Sequence, residues 1–172
     1  CSPHYHPMSQ GIALEGMRLV LDALPRAYAA PDDLAARADM MSAAMMGAVA
    51  FQKGLGAIHA LSHPVGALYD THHGTTNAVV MPAVLRANRP AIEGRLARAA
   101  AYLGLDGGFD GVLDAVLHLR AALGIPEGLA ALGVEEARIP ELVERALRDP
   151  SVGGNPVEMT AESTEALFRA AL

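Results

Sequence analysis

Cysteines, aromatic residues and basic residues are all scarce in this sequence of 172 residues. Cysteine occurs once, at Cys1, so no disulfide can form within the chain and no thiolate cluster can hold a metal. Tryptophan is absent and aromatic residues make up 4%, which argues against a surface that stacks nucleic-acid bases. The 13 basic and 19 acidic residues give a net charge of −6. This balance argues against any nucleic-acid partner.

Targeting and membrane-spanning segments are not recognised in the sequence either. No basic stretch followed by an apolar core begins the chain, so no signal peptide is expected. The longest apolar run, residues 40–51, is too short to cross a bilayer and contains Ser42 and Gly47. The single cysteine suits a reducing compartment, and we therefore expect a cytoplasmic protein. Because the chain opens at Cys1 in a polar loop without an initiator methionine, we expect a fragment of a longer polypeptide.

The residues that are abundant favour helices. Hydrophobic residues make up 52% and charged residues 19%, with a mean hydropathy of +0.24, while runs of β-branched residues are few. This composition predicts an all-α domain, a bundle of about eight helices with enough residues for one sizeable core. Because the chain is apolar for its size, part of its surface is expected to pack against another part of the complete molecule.

Apolar periodicity and turn residues place the eight predicted helices. Pro25 is expected to kink or end the first helix, and Pro82 to kink or delay the fourth. The centre of the second helix, residues 40–49, is apolar on nearly all sides, which is typical of a buried helix. Thr160 is expected to cap the last helix. The predicted ranges are 8–28, 31–53, 57–68, 74–85, 91–102, 109–123, 140–148 and 160–172.

Four of the seven histidines lie between positions 59 and 73, in an otherwise apolar stretch. Neutral imidazole ligates metals and also moves protons near neutral pH. His59 and His63 are four apart, so on a helix they share one face, and His73 follows after a turn. Three imidazoles would suit zinc or iron, although packed or hydrogen-bonded histidines would give the same pattern. The residues alone do not decide which of these histidines, His72 included, would bind a metal.

Other polar residues are assigned structural roles. Asp114 and His118 form a DxxxH pair, but they belong to the polar stripe of their helix and are interpreted as a solvated face. His4 and His6 lie in a loop that is exposed or lines a cleft, and their roles stay open. Residues 75–77 are interpreted as a helix cap, with the further possibility that the asparagine among them orients a site residue.

The segment GLGAIHALSHPVGALYDTHHGTTNAVVMPAVLRAN, residues 54–88, resembles the signature of the iron-containing alcohol dehydrogenases. The flanks CSPHYHPMSQGIALEGMRLV, IPEGLAALGV, RIPELVERAL and GGNPVEMT also resemble that family, so the resemblance covers nearly the whole chain. It implies that residues 1–172 are the family's C-terminal helical domain, in the fold shared with dehydroquinate synthase. The family's N-terminal nucleotide-binding α/β domain, with its glycine-rich pyrophosphate loop, has no counterpart in this sequence.

The resemblance also implies roles for individual residues. His59 and His73 fall on two of the family's four metal ligands, and His63 falls on the histidine that lies near the nicotinamide and the substrate. The other two ligands, an aspartate and a histidine from one helix, would precede Cys1. The chain would therefore carry half of a site for Fe(II), or for Zn(II). NAD or NADP would be bound mainly by the missing domain, with His63 as the catalytic, cofactor-contacting residue.

The implied reaction is reversible hydride transfer between a small alcohol and NAD(P), with the metal as Lewis acid. The partners would be an alcohol or aldehyde, the protein's own N-terminal domain and further copies of the chain, without nucleic acid or membrane. The isolated fragment is expected to be inactive. Two alternatives are a non-enzymatic helical module that binds metal or a partner, and a metal-dependent lyase or hydrolase of a related fold. The identity of the alcohol is not predicted.

Overall fold

Helices account for all the regular structure in the computed structural model, which describes residues 2–172. Within these residues there are seven α-helices and four short 3-10 helices, without a β-strand. The α-helices are α1 Pro7–Ala29, α2 Leu34–Ala50, α3 Ala57–Tyr69, α4 His73–Leu103, α5 Phe109–Ala122, α6 Ile139–Leu147 and α7 Ala161–Ala170. The 3-10 helices are Phe51–Lys53, Leu129–Leu132, Glu136–Arg138 and Pro150–Gly154. The prediction of an all-α chain is confirmed.

The helix count differs from the predicted eight because two predicted helices are one. Residues 74–85 and 91–102 both belong to α4, a single helix of 31 residues that contains Pro82 and Pro90. A proline inside a helix costs about 3 kcal/mol, but buried side chains of the same helix, such as Val80 and Ile92, offset that cost by roughly 1.5–3 kcal/mol each. Pro25 likewise lies inside α1, which continues to Ala29.

The described residues form two compact units. One unit contains residues 2–3, 54–93 and 124–172, and the other contains residues 4–53 and 94–123. In the second unit α1 and α2 pack along each other and α1 also contacts α5. At Gly16 the two helices come so close that an added Cβ would lie 3.2 Å from Cβ of Met46. Small residues at this crossing therefore allow the close approach of α1 and α2.

Helix α2 is not the buried helix that its composition predicts. Only Ala36 and Ala43 are buried, whereas Met41 and Met45 are 69% and 68% exposed. By length and composition alone, the stretch Leu34–Lys53 is long and apolar enough to span a membrane, with a mean hydropathy of 1.2. The apolar run of residues 40–51 is too short for this, but the helix extends beyond that run. A helix that is apolar on all sides can be covered on any of them, and here α1 covers one.

The core of the first unit is built from α3, the first part of α4, α6 and α7. Helix α3 packs against α6 and against the 3-10 helix Pro150–Gly154, and α6 packs against α7. Burying each large aliphatic or aromatic side chain stabilises the fold by roughly 1.5–3 kcal/mol. The large apolar residues with the least exposure in this unit are Leu61, Val65, Val80, Ile92, Leu129, Ile139, Leu142 and Phe168.

The side-chain amide of Asn155 joins three segments of this unit. Its Oδ1 accepts hydrogen bonds from the backbone N–H of Ala57 at 3.1 Å and from Nδ2 of Asn88 at 2.8 Å. Its Nδ2 donates to Oδ1 of Asn88 at 2.9 Å and to the carbonyl of Val157 at 2.7 Å. One side chain thus fixes the start of α3 to the middle of α4 and to the segment after residue 154.

Candidate metal and catalytic site

Helix α3 presents two histidines on one face. His59 and His63 lie one turn apart, with ring centroids separated by 5.6 Å. The helix begins after Gly56, which makes no side-chain cap, and the first N–H group, that of Ala57, is instead bound by Asn155. Because unpaired N–H groups at a helix start need acceptors, this contact from a distant segment sets where α3 begins. It therefore also sets where the two rings project.

The third imidazole of the cluster belongs to His73, the first residue of α4. The chain leaves α3 at Asp70, a non-glycine residue with a left-handed φ of 52°, and re-enters a helix at His73. The ring centroid of His73 lies 5.3 Å from that of His59 and 5.4 Å from that of His63. The fold thus brings together three of the four clustered histidines, as the helix–turn–helix spacing leads one to expect.

The fourth clustered histidine has a structural role. Nδ1 of His72 accepts a hydrogen bond from the backbone N–H of Thr75 at 3.3 Å, which makes this imidazole a cap of α4. The interpretation of residues 75–77 as the cap is wrong, because α4 already begins at His73. Thr76 is buried and its hydroxyl donates to Oγ1 of Thr71 at 2.8 Å, so it ties the loop to the helix.

The three remaining histidines belong to the other compact unit. His6 caps α1, since its Nδ1 accepts from the backbone N–H of Ser9 at 3.1 Å. His4 is exposed. His118 is exposed and its Nδ1 lies 2.8 Å from the backbone carbonyl of Asp114. The interpretation of Asp114 and His118 as a solvated face is confirmed.

Asn77 lies one turn after His73 and contacts its ring. Its Nδ2 is 3.0 Å from Nε2 of His73. Its Oδ1 is buried and has no hydrogen-bond partner. A buried amide oxygen without a partner costs roughly 1–3 kcal/mol, so this atom marks a position where a bound group would be favoured. Asn77 thus contacts His73, and its role in orienting a site residue stays a prediction.

Asp149 completes the cluster and was missed in the sequence. It follows α6, and its Oδ2 lies 2.7 Å from Nδ1 of His63 although 86 positions separate the two residues. Its side chain is only 12% exposed, against 40% for His63. The sequence signal was limited to an aspartate before a proline at the end of a helix. Such a signal predicts a turn and gives no indication of the distant histidine.

The protonation behaviour of the site follows from burial and contacts. Burial lowers the pKa of His59, and the nearby His73 and His63 rings lower it further, so its imidazole is neutral at neutral pH. Burial alone would raise the pKa of Asp149, but hydrogen bonds from Ser151 and His63 outweigh burial and hold that pKa below its ordinary value. A neutral His59 and an ionised Asp149 therefore coexist at neutral pH.

The donor set fits a transition-metal ion. Two imidazoles that ligate one ion through bonds of about 2.1 Å have centroids about 5 Å apart, close to the 5.3 Å between His59 and His73. Neutral imidazoles suit zinc or iron. Within residues 2–172, however, no group of three or more His, Cys, Asp or Glu side chains is arranged to hold a metal ion. Two imidazole ligands from this chain agree both with the spacing of the rings and with the absence of a larger ligand group among the described residues.

Comparison with known proteins places this helical chain in a family. Residues 1–172 match the model of the Fe-containing alcohol dehydrogenase family, C-terminal. The chain therefore belongs to the Fe-containing alcohol dehydrogenase family, as its signature segment indicated.

Individual relatives agree with this assignment. The chain is 43% identical to a 4-hydroxybutyrate dehydrogenase from Cupriavidus necator over 93% of its own length and 44% of that protein's. It resembles the crystal structure of a 1,3-propanediol oxidoreductase with a TM-score of 0.95 and 33% identity, covering 99% of this chain and 47% of the other. A sulfoacetaldehyde reductase from Bifidobacterium kashiwanohense in complex with NAD+ gives a TM-score of 0.87 at 27% identity, with 99% and 45% covered. The chain thus spans about half the length of its relatives.

Proposed function

We propose that residues 1–172 are the C-terminal helical, metal-binding domain of a longer NAD(P)-dependent alcohol dehydrogenase. The observation that carries this proposal is the convergence of His59, His63 and His73 in a chain that belongs to the Fe-containing alcohol dehydrogenase family. The coverage of 44% of the 4-hydroxybutyrate dehydrogenase leaves more than half of that relative's length for a nucleotide-binding domain. The exposed apolar side chains of α2 offer a surface against which such a domain can pack.

His59 and His73 are proposed as two ligands of Fe(II), with Zn(II) as the alternative. Burial keeps His59 neutral through its lowered pKa, and only a neutral imidazole can ligate a metal. When bound, the metal would supply Lewis-acid polarisation of the alcohol oxygen, and the nicotinamide would supply the hydride chemistry. The further ligands would come from the segment that precedes Cys1.

His63 is proposed to handle the proton of the alcohol. Its ring lies within 5.4–5.6 Å of the other two rings, centroid to centroid, and its side chain is 40% exposed. It can therefore accept a proton inside the site and release it to solvent. A positioned general base of this kind contributes about 10²–10⁴-fold to a rate.

The substrate class is proposed to be small alcohols and the corresponding aldehydes. The names of the relatives, a 4-hydroxybutyrate dehydrogenase and a 1,3-propanediol oxidoreductase, support substrates with a primary hydroxyl group. NAD as the cofactor is supported by the NAD+ complex of the related reductase. A cytoplasmic location and association of several copies are part of the same proposal.

The proposal is tested with the full-length protein, loaded with Fe(II) or Zn(II) and offered a panel of primary alcohols with NAD or NADP. We expect reduced nicotinamide to form with at least one alcohol and to disappear with the matching aldehyde. Absence of nicotinamide chemistry across the panel, together with metal-dependent hydrolysis or elimination, would instead support the lyase or hydrolase alternative.

The roles of the histidines are separated by substitution in the full-length protein. His63→Ala should lower kcat by about 10²-fold or more, because it removes the proton acceptor, and should leave the bound metal nearly unchanged. His59→Ala should lose the metal. Metal content is measured by elemental analysis, with the exposed His118→Ala as a control for which both quantities stay at the unsubstituted value. Equal metal loss in His63→Ala and His59→Ala would refute the assignment of His63.

A further inference from the structure

Both carboxylate oxygens of Asp149 are held by contacts, one with Ser151 and the other with His63. Oδ1 of Asp149 accepts a hydrogen bond from the backbone N–H of Ser151 at 2.8 Å. Oδ2 lies 2.7 Å from Nδ1 of His63. With its side chain only 12% exposed, Asp149 is held in one orientation by the start of the 3-10 helix Pro150–Gly154. The carboxylate cannot turn away from the ring without giving up the contact with Ser151.

This geometry determines the tautomer of the ring. An ionised carboxylate can only accept hydrogen bonds, so Nδ1 of His63 must carry the hydrogen in the contact with Asp149. The hydrogen bonds that hold the pKa of Asp149 low keep the carboxylate ionised at neutral pH. In the neutral imidazole Nε2 is then the atom with the available lone pair. Nε2 lies on the side of the ring away from Asp149.

We propose that Asp149 is the positioning residue for His63, which it holds with the hydrogen on Nδ1 and the lone pair of Nε2 turned toward the substrate. This inference rests on the proposed function, because it assigns to His63 the role of proton acceptor in alcohol oxidation. In that step Nε2 would take the hydroxyl proton, and a bound nicotinamide would supply the acceptor for the hydride from the same alcohol. The imidazolium that results is stabilised by the adjacent carboxylate.

The test uses Asp149→Asn in the full-length, Zn(II)-loaded protein. The N–H of Ser151 still requires an acceptor, so the amide oxygen of the asparagine takes the place of Oδ1. The amide NH2 group then faces Nδ1 of His63 and makes that nitrogen the acceptor, which moves the hydrogen to Nε2. We expect kcat to fall about ten- to 100-fold, with KM and bound zinc nearly unchanged, because the base has lost its lone pair at Nε2.

The tautomer is measured directly from the 15N chemical shifts of His63, which differ between protonated and unprotonated ring nitrogens. We expect hydrogen on Nδ1 in the unsubstituted protein and on Nε2 in Asp149→Asn. The matched control is Glu144→Gln, which removes a 62% exposed carboxylate on α6 that pairs with Arg148. It should change neither the tautomer nor kcat.

Three results would overturn the proposal: an unchanged kcat in Asp149→Asn, an unchanged tautomer, or loss of zinc in parallel with activity. The last would show that Asp149 supports a metal ligand instead. If Asp149→Asn does not fold, Asp149→Ser is used, since its hydroxyl retains the contact with Ser151 but is too short to reach the ring. Inactivity of the unsubstituted enzyme refutes the proposed function alone, because the His63 tautomer still tests the pairing with Asp149.

Discussion

At the scale of single residues, the positions that shape the site are polar side chains that bind distant backbone. Asn155 is the clearest case, since both its amide oxygen and its amide nitrogen make two hydrogen bonds. One of these bonds holds the first N–H of α3, the helix that carries His59 and His63. Loss of this amide would leave Asn88, which is buried, without the two hydrogen bonds that its side chain makes with Asn155. The positions of His59 and His63 therefore depend on Asn155, a residue that takes no part in the proposed reaction.

Asn155→Ala should destabilise the 172-residue chain by roughly 2–4 kcal/mol, because it leaves several buried donors and acceptors unpaired. The free energy of unfolding is measured by urea titration. Gln52→Ala, which removes an exposed amide, is the control and should stay within about 0.5 kcal/mol. Adding Asn88→Ala to Asn155→Ala should cost less than Asn88→Ala alone, since the two amides serve each other. Additive losses would contradict this account.

At the scale of elements, the 3-10 helix Pro150–Gly154 positions Asp149 against α3. The segments meet at Gly154, where an added Cβ would overlap the carbonyl oxygen of Leu55. A glycine is required here for close approach of two backbones rather than for an unusual dihedral angle. The neighbouring Gly153 has no atom within 4 Å of an added Cβ. A side chain therefore has room at position 153, whereas at position 154 it would overlap the neighbouring backbone.

Gly154→Ala should destabilise the chain by about 1–3 kcal/mol, because one of the two backbones has to move. It should also lengthen the contact between Asp149 and His63. Gly153→Ala is the matched control, and it is expected to be neutral or to stabilise by about 0.4–1 kcal/mol through the unfolded state. The two variants are compared by thermal and urea unfolding. Equal stability of both would show that the segment has room to shift.

At the scale of the whole molecule, the exposed large apolar side chains are confined to one of the two units of the described residues. The large apolar side chains that are exposed all lie in residues 4–53 and 94–123. They are Tyr5, Met8, Tyr28, Leu34, Met41, Met45, Val49, Phe51 and Tyr102. The unit that holds the four clustered histidines has a continuous buried core of its own. This distribution is what a chain that packs against a further domain would show.

We expect the isolated 172-residue chain to fold through this core, to bind Fe(II) or Zn(II) weakly and to lack dehydrogenase activity. Two imidazoles provide too few ligands for tight binding, since catalytic zinc sites use three protein ligands. Circular dichroism measures the helix content and elemental analysis measures the metal retained after purification. Tight, stoichiometric metal in the isolated chain would favour the alternative of a self-sufficient metal-binding module.

Several features of the fold and site could be predicted from the sequence because their causes are local. The cap of α7 is an example: Thr160 and Ser163 bond reciprocally within one turn. Convergence of His73 with the pair on α3 could also be anticipated from one turn between two helices. Other features depended on packing, which outweighed local rules. Pro82 and Pro90 did not end α4, and the apolar composition of α2 did not bury it.

The sequence by itself determined the helical class, the face shared by His59 and His63 and the family to which the chain belongs. The helical class and the shared face depend on composition and on spacing along the chain, which a helix converts directly into position, whereas the family was indicated by the resemblance of the signature segment. Only the tertiary structure decided that Asp149 pairs with His63, that Asn155 sets the start of α3 and that His72 caps α4. The first two join residues 86 and 98 positions apart, and such pairs form only when a packed core brings distant segments together.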